Sequence, residues 1–326
     1  MKSIDIGIIG AGGMGSFHAR TLAGLAGVRV RAVSDPHEPN ARAIHDELGA
    51  EIVTDPFELA ASPDIAGLVI ASPDATHAEL ALAALDRATP TLCEKPLATT
   101  VDDAGGVVDA EVAAGRRTIQ LGFMREYDPA HRQVMAELAT LGRIDAVRAV
   151  HRNANASPRP IEQIVGQSLV HDIHSLRFMT GAEITSVHAS GSGASNGSFR
   201  HVVALCTLSS GAHAILEFDD GGFAYEVGVE VLTAAGDALT GLPTRAVRRV
   251  GGSIDVHLGT DWFNWFADAY RLQDQAWVDS IRDGVATGPT TWDGFVAQVV
   301  VDATLISLRT KQTVELTAAE RPAIYG

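Results

Sequence analysis

Cysteine is nearly absent: the 326 residues include two, Cys93 and Cys206. That excludes a disulfide framework and a cysteine-based zinc spacing, and it suits a reducing compartment. Long apolar runs are missing too, since no stretch approaches the roughly 18 residues that span a bilayer. Basic charge is scarce, with 25 Lys and Arg against 40 Asp and Glu and a net charge of −15. Such a balance argues against nucleic acid or an anionic membrane as partner and says little about small polar substrates. Met1-Lys2 runs straight into an apolar strand, which leaves no room for a signal peptide. The expectation is a cytoplasmic protein without membrane attachment. Hydrophobic residues, by contrast, make up 46%. At this length they suit two domains, because single cores stop growing at roughly 250–300 residues.

The first fifteen residues organise the rest. Ile4, Ile6, Ile8 and Ile9 read as a strand buried on both faces of a parallel sheet. Gly10, Gly12 and Gly15 follow in G-x-G-x-x-G spacing, and Ser16 to Ala26 reads as a helix. Strand, glycine turn and helix form the context that a dinucleotide fingerprint requires. Gly10 permits the turn, Gly12 lets a diphosphate approach the backbone, and Gly15 lets helix and strand pack closely. The free N–H groups at the helix N-terminus and the helix dipole would hold the diphosphate. A second strand, Val28 to Ser34, ends at Asp35, 20 residues past Gly15. An acid there hydrogen-bonds ribose hydroxyls and repels a 2′-phosphate, which favours NAD over NADP. The competing reading of Asp35 is a turn residue in S-D-P-H-E-P.

Short apolar strands recur at Ile52-Val53, Gly67–Ala71, Thr91–Cys93 and Thr118–Leu121, alternating with helices. Six strands in this rhythm predict one doubly wound α/β domain over residues 1–122. Its ligands would lie beyond the C-terminal strand ends, which puts Gly10, Asp35, Ser72-Pro73 and Glu94-Lys95-Pro96 on one rim. After Gly122 the pattern changes to longer, alternating strands at 144–153, 187–190, 202–208, 213–218 and 227–233. Helices are expected at 128–140, 167–179, 262–284 and 292–308, and GSGASNGS (191–198) as a flexible connection. Residues 123–326 thus predict an α+β domain with an open, mainly antiparallel sheet, and its closing helices are free to pack back on the first domain. An exposed sheet face suggests a homodimer or homotetramer built through that sheet.

Two groups could carry chemistry. Lys95 projects from a strand end fixed by Pro96, where an ammonium can hydrogen-bond a reacting hydroxyl; the alternative is a solvated surface lysine. In Ser168–Arg177 (SLVHDIHSLR), His171 shares a helix face with His174, Gln167 and Ser175. An imidazole titrating near about 6.5 can accept an alcohol proton at neutral pH. The alternative is a buried structural histidine. No metal is expected, because that face offers only two histidines and no cysteine or carboxylate. Arg125, Asn153, Asn155 and Tyr270 suit a polyhydroxylated ligand, although such residues often only cap or solvate element ends.

Taken together, IGIIGAGGMGSFHA, ASPDATHAEL, CEKPLATT, GFMREYDP, SLVHDIHSLRF, DAYRLQDQAWVDSI and WDGFVAQ resemble the Gfo/Idh/MocA oxidoreductases. The matches run along almost the whole chain, and the inositol and sugar dehydrogenases are the most similar flavour. The resemblance implies a Rossmann domain carrying NAD on Gly10, Gly12, Gly13, Met14, Gly15, Asp35, Ser72, Pro73, His77, Glu94, Lys95 and Pro96. It implies Lys95 and His171 as catalytic residues, with Arg125, Asn153, Asn155, Gln167 and Tyr270 on the substrate. The chain departs from the family pattern at four positions. Gln167 stands where an aspartate precedes the histidine by four, and His174 where an acid often follows by three. Glu126 replaces a frequent second arginine, and Trp265 a usual basic residue.

The expected activity is NAD-dependent oxidation or reduction of a secondary alcohol on a cyclic polyol or sugar, without nucleic acid, metal or membrane. The substrate would lie between the nicotinamide and the second domain's sheet. A redox-assisted lyase or glycosidase of the same family would instead hold NAD tightly and produce no net NADH. A non-catalytic sensing relative would have little use for both Lys95 and His171.

Overall fold

In the computed structural model, which describes residues 3–154, 159–193, 199–222, 224–241, 247–250, 253–256 and 262–326, the chain forms two compact units. The first unit comprises Met1–Met124, Tyr270–Gln298 and Glu320–Gly326. Its strands are β1 (Ile4–Ile9), β2 (Val28–Ser34), β3 (Glu51–Ile52), β4 (Gly67–Ile70), β5 (Thr91–Cys93) and β6 (Ile119–Leu121). They pair in parallel in the order β3-β2-β1-β4-β5-β6. The order reverses at β1, so a crevice opens at the C-terminal ends of β1 and β4. Burial on both faces explains the unbroken apolar runs: every residue of β4 and β5 is buried.

The crossovers are α1 (Gly13–Ala23), α2 (Glu38–Leu48), α3 (Pro56–Ala60), α4 (His77–Asp86) and α5 (Val101–Ala114). Their ends follow from local chemistry. The Thr100 hydroxyl accepts the Asp103 N–H at the start of α5, and Gly115 closes it at φ +68°, a left-handed conformation that suits glycine. Helix α1 begins three residues before the expected Ser16, so Gly13 and Gly15 lie inside its first turn. A 3₁₀ turn, Asp74–Thr76, precedes α4.

The second unit comprises Arg125–Ala269 and Val299–Ala319. After α6 (Pro129–Leu141) come β7 (Ile144–Ala154), then α7 (Ile161–Gln163) and a π-helical segment at Ile164–Leu169 that leads into α8 (Val170–Thr180). The strands β8 (Ile184–Gly193), β9 (Phe199–Leu208), β10 (His213–Gly222), β11 (Glu226–Thr233) and β12 (Ala238–Gly241) follow, then a hairpin of β13 (Val247–Val250) and β14 (Ser253–Val256). With β15 (Val314–Glu315) the main sheet has the order β12-β11-β7-β10-β9-β8-β15. Only the β7–β10 pair in it is parallel. Helix α8 is buried along almost its whole length, while alternate side chains of the strands leave Leu205, Ile215 and Leu232 exposed. Gly191–Gly193, expected in a flexible connection, continue β8 because their backbone pairs with β9; 194–198 lie outside the described residues.

Helices α9 (Trp262–Asp283) and α10 (Thr291–Thr310) contribute to both units. The later part of α9 lies against the first unit's sheet, with Trp277 and Val278 in one core with Ile6, Ile8 and Val69. A Cβ on Gly67 would meet Ile281 at 2.8 Å and Trp277 at 3.0 Å, so the helix rests directly on β4. The last residues are tied in by Tyr325, whose hydroxyl donates to Glu111 Oε2 at 3.1 Å. Residues 1–122 therefore do not close this unit alone. No helix among the described residues is long and apolar enough to cross a membrane.

Candidate active site

The glycine loop divides its work by position. Gly10 has φ +86°, and a Cβ there would stand 2.5 Å from the Ala71 carbonyl oxygen. A Cβ on Gly15 would fall 1.7 Å from the Gly10 oxygen. Gly12 differs: nothing lies within 4 Å of its would-be Cβ, and it is exposed, as is Gly13. Two glycines thus bring strand and helix together, and the third leaves bare backbone at the start of α1, where no side chain caps the N–H groups. That arrangement fits a diphosphate, which would take those N–H groups and the positive helix end.

Asp35, at the end of β2, does two jobs. Its Oδ1 accepts the His37 N–H at 2.8 Å, the turn role, and its Oδ2 accepts the Ala11 N–H at 2.6 Å, tying the glycine loop to β2. It also lines a cavity of about 470 Å³ together with Gly10, Gly12, Asn40, Phe57 and Ser72. Pro73, Thr54, Thr76 and Glu79 complete part of this wall. Asn40, Phe57 and Glu79 went unnoticed in the sequence because they lie on separate crossovers and no local spacing links them.

Beside this cavity, β5 ends in Glu94-Lys95-Pro96, with a cis peptide bond between Lys95 and Pro96. Lys95 is half-buried. On one side of it, Glu94 is buried, with Oε2 accepting the Lys95 N–H at 3.3 Å and Oε1 3.1 Å from His18 Nε2. On the other side, the His77 ring bridges the Pro96 carbonyl at 2.7 Å and the Ser72 carbonyl at 2.9 Å. His77 therefore staples the β4 and β5 ends together. His18 continues to Asp274, whose two oxygens lie 2.9 and 3.0 Å from Nδ1. Burial disfavours charge on this ring, but Asp274 and then Glu94 outweigh it and raise the pKa to about 10. Tyr270, expected at the substrate, is 2% exposed and packs edge-on against Phe17 and His18. His18 carries no local signal of its own within GSFHA, and its partner Asp274 lies 256 residues away.

In the second unit, Arg125 is buried and its Nη1 donates to Asp172 Oδ1 at 2.6 Å. Asp172 Oδ2 also lies 2.9 Å from Nδ1 of His151, on β7. Burial works against the Asp172 charge, but Arg125 and His151 prevail and hold its pKa at about 2. Burial, aided by the Arg125 charge, pushes His151 down. Asp172 is thus committed to Arg125 and His151. His171 is buried on the first turn of α8, and Gln167 lies half-buried in the π-helical turn before it. Such π turns are rare and frequently fall at functional sites.

Two of the family departures meet: His174 Nε2 lies 2.9 Å from Glu126 Oε1. An acid on the loop and a base on the helix thus form one pair. Asn153 donates to Asp220 Oδ1 at 3.0 Å, and Arg159 grips the same carboxylate at 3.0 and 3.1 Å. Arg159 also reaches the Ser168 hydroxyl at 3.2 Å, next to Gln167. Asp220 and Arg159 carried no sequence signal, since strand end and loop are joined only by the fold. Asn155 lies outside the described residues. Cys93 and Cys206 are buried, and burial pushes both thiols up, Cys206 to about 12, away from nucleophilic use.

Known proteins resemble this chain in sequence and in fold. The model of the Gfo/Idh/MocA oxidoreductase family, NAD-binding Rossmann fold, matches residues 4–123. Inositol 2-dehydrogenase 1 of Saccharopolyspora erythraea is 37% identical, with 99% of each chain covered. Inositol 2-dehydrogenase of Mycolicibacterium smegmatis is 38% identical over all of both chains. Among solved structures, myo-inositol dehydrogenase from Lactobacillus casei in complex with NAD(H) and myo-inositol is similar with a TM-score of 0.94. It is 29% identical, covering 99% of this chain and 100% of that one.

Proposed function

This chain belongs to the Gfo/Idh/MocA oxidoreductase family, and from that premise we propose that it is an inositol dehydrogenase. It is an NAD-dependent oxidoreductase acting on a CH–OH group of a cyclic polyol. The observation that carries the finer reading is the coexistence of the glycine cradle, the Lys95 strand end and His171 in a chain similar to inositol 2-dehydrogenases from end to end.

NAD fits the residues present: bare backbone at Gly12 for the diphosphate, and Asp35 lining the adjoining cavity as ribose acceptor. When bound, the nicotinamide supplies the hydride acceptor. Lys95 hydrogen-bonds the reacting hydroxyl and stabilises negative charge on its oxygen, and His171 takes the hydroxyl proton. Gln167 and Asn153 serve as hydrogen-bonding partners of the ring hydroxyls. Arg125 and Tyr270, both 2% exposed, enter this reading as supports of neighbouring side chains. The protein works in the cytoplasm, and a second copy pairs through the outer sheet face, where Leu205 and Leu232 line a hollow of about 520 Å³.

The test is a panel of inositols, aldoses and glycosides with NAD and NADP, followed by reduced-nicotinamide absorbance. NADH formation with an inositol is expected, and Lys95→Ala should lower turnover at least about 100-fold while NAD affinity falls far less. Turnover of a glycoside without net NADH would replace this reading with the lyase or glycosidase one.

A further inference from the structure

The Asp274–His18–Glu94 chain belongs to no step described above, yet it ends at the Lys95 backbone. We propose that His18 is a positioning residue for the reaction: through Glu94 it fixes the strand end from which Lys95 projects. The proposal rests on Lys95 acting at the alcohol.

The geometry is that of a built device. Both ring nitrogens of His18 are used, Nδ1 on Asp274 and Nε2 on Glu94 Oε1, and His18 and Asp274 are fully buried. Burial pushes the Asp274 carboxyl up while His18 beside it pulls it down; with both carboxylates ionised each offers only acceptor oxygens, and the ring then donates from both nitrogens. The other carboxylate oxygen of Glu94 receives the Lys95 N–H, so the backbone that carries Lys95 rests on Glu94. Space for Glu94 is reserved by Gly122, where a Cβ would fall 2.7 Å from Oε1. The titratable groups facing His18 are Asp274 and Tyr270 from α9 and Glu94 from the end of β5. A loose surface lysine would need none of this; a lysine that must be placed to a few tenths of an ångström does.

The experiment uses the full-length protein and Asp274→Asn, which keeps the shape and removes the nearer carboxylate. His18 then titrates toward the ordinary histidine range, near about 6.5. The variant's kcat should drop on the order of tenfold, as when a carboxylate behind a functional histidine is lost, with NAD Kd unchanged. Its kcat profile should also gain a limb that falls as pH rises between about 6 and 9. That limb is opposite in sign to the one expected from His171 acting as base, and it should vanish in H18Q/D274N. A D274N profile parallel to the wild type, or NAD affinity falling in step with kcat, overturns the proposal. The wild type gives a second measurement that needs no variant. Nitrogen NMR of its histidine side chains should find both His18 nitrogens protonated at about pH 8, and a neutral ring there overturns the proposal. Absence of NADH formation by the wild type with every cyclic polyol would sink the inositol dehydrogenase reading, and the NMR result stands apart from it.

Discussion

Replacing Arg125 with Met strands a buried carboxylate. Arg125 and Asp172 are each 2% exposed and are joined at 2.6 Å. Removing one partner of such a pair costs about 3–5 kcal/mol, whereas replacing both with apolar groups is close to neutral. Proton linkage gives a figure of similar size. Asp172 is held at about 2 against an ordinary 3.8, a difference worth on the order of 2 kcal/mol. A carboxylate depressed in this way contributes stability that is fully present above 3.8 and is lost as pH falls through about 2. His151 adds a twist. It lies 2.9 Å from Asp172, and the Arg125 charge helps to keep it neutral. Without Arg125 it takes a proton more readily and replaces the missing cation. The penalty for R125M, read from urea unfolding followed by circular dichroism, should be about 3–5 kcal/mol at about pH 8. It should shrink to below about 2 kcal/mol at about pH 5.5 as His151 charges. R125M/D172L should return to within about 1 kcal/mol of the wild type. A penalty under about 1 kcal/mol at the higher pH, or one equal at both, would refute the reasoning.

The glycine loop makes two contrasting predictions in one experiment. Gly15→Ala puts a methyl 1.7 Å from the Gly10 oxygen, so it should weaken NAD binding at least about 100-fold by calorimetry. Beyond its two chain neighbours, Gly12→Ala meets no atom of the described residues within 4 Å. It should leave Tm unchanged and weaken NAD about tenfold, because only the ligand is crowded; a fall in Tm would contradict this. Asp35→Ser removes the charge that would repel a 2′-phosphate, and the ratio of kcat/KM for NADP over NAD should rise at least about tenfold. The same variant loses the 2.6 Å bond to Ala11, so NAD affinity itself should decline. An unchanged cofactor ratio would show that Asp35 serves only the turn.

Much of the nucleotide unit was legible because its signals are local. Four isoleucines announced β1, and glycine steric demands are written within six residues. The positions of β2, β4, β5 and β6 each followed from a short apolar run between turn signals. The second unit was readable in its alternating strands but not in its cross-links. Asp172 follows His171 directly in the chain, and only its place beside Arg125 and His151 shows where its charge goes. Glu126 and His174 read as two separate departures, and their mutual hydrogen bond makes them one. His18 was overlooked because its meaning comes from Asp274, which no periodicity could connect to it. Residue type marks what a side chain can do; partners far along the chain decide which of those things it does.

The descent of α9 onto β4 also has a consequence for biosynthesis. A ribosome exposes β1 long before it has made Trp277, Val278 and Asp274, which complete the same core. At roughly 5–20 residues per second, the 256 residues from His18 to Asp274 take on the order of ten to fifty seconds to emerge. Through that interval the nucleotide sheet presents an unroofed apolar strip at Ile6 and Gly67, and His18 has yet to meet its anion. The nascent chain therefore carries its most recognisable motif in an unfinished state, and a fragment cut at the end of β6 would preserve that state permanently.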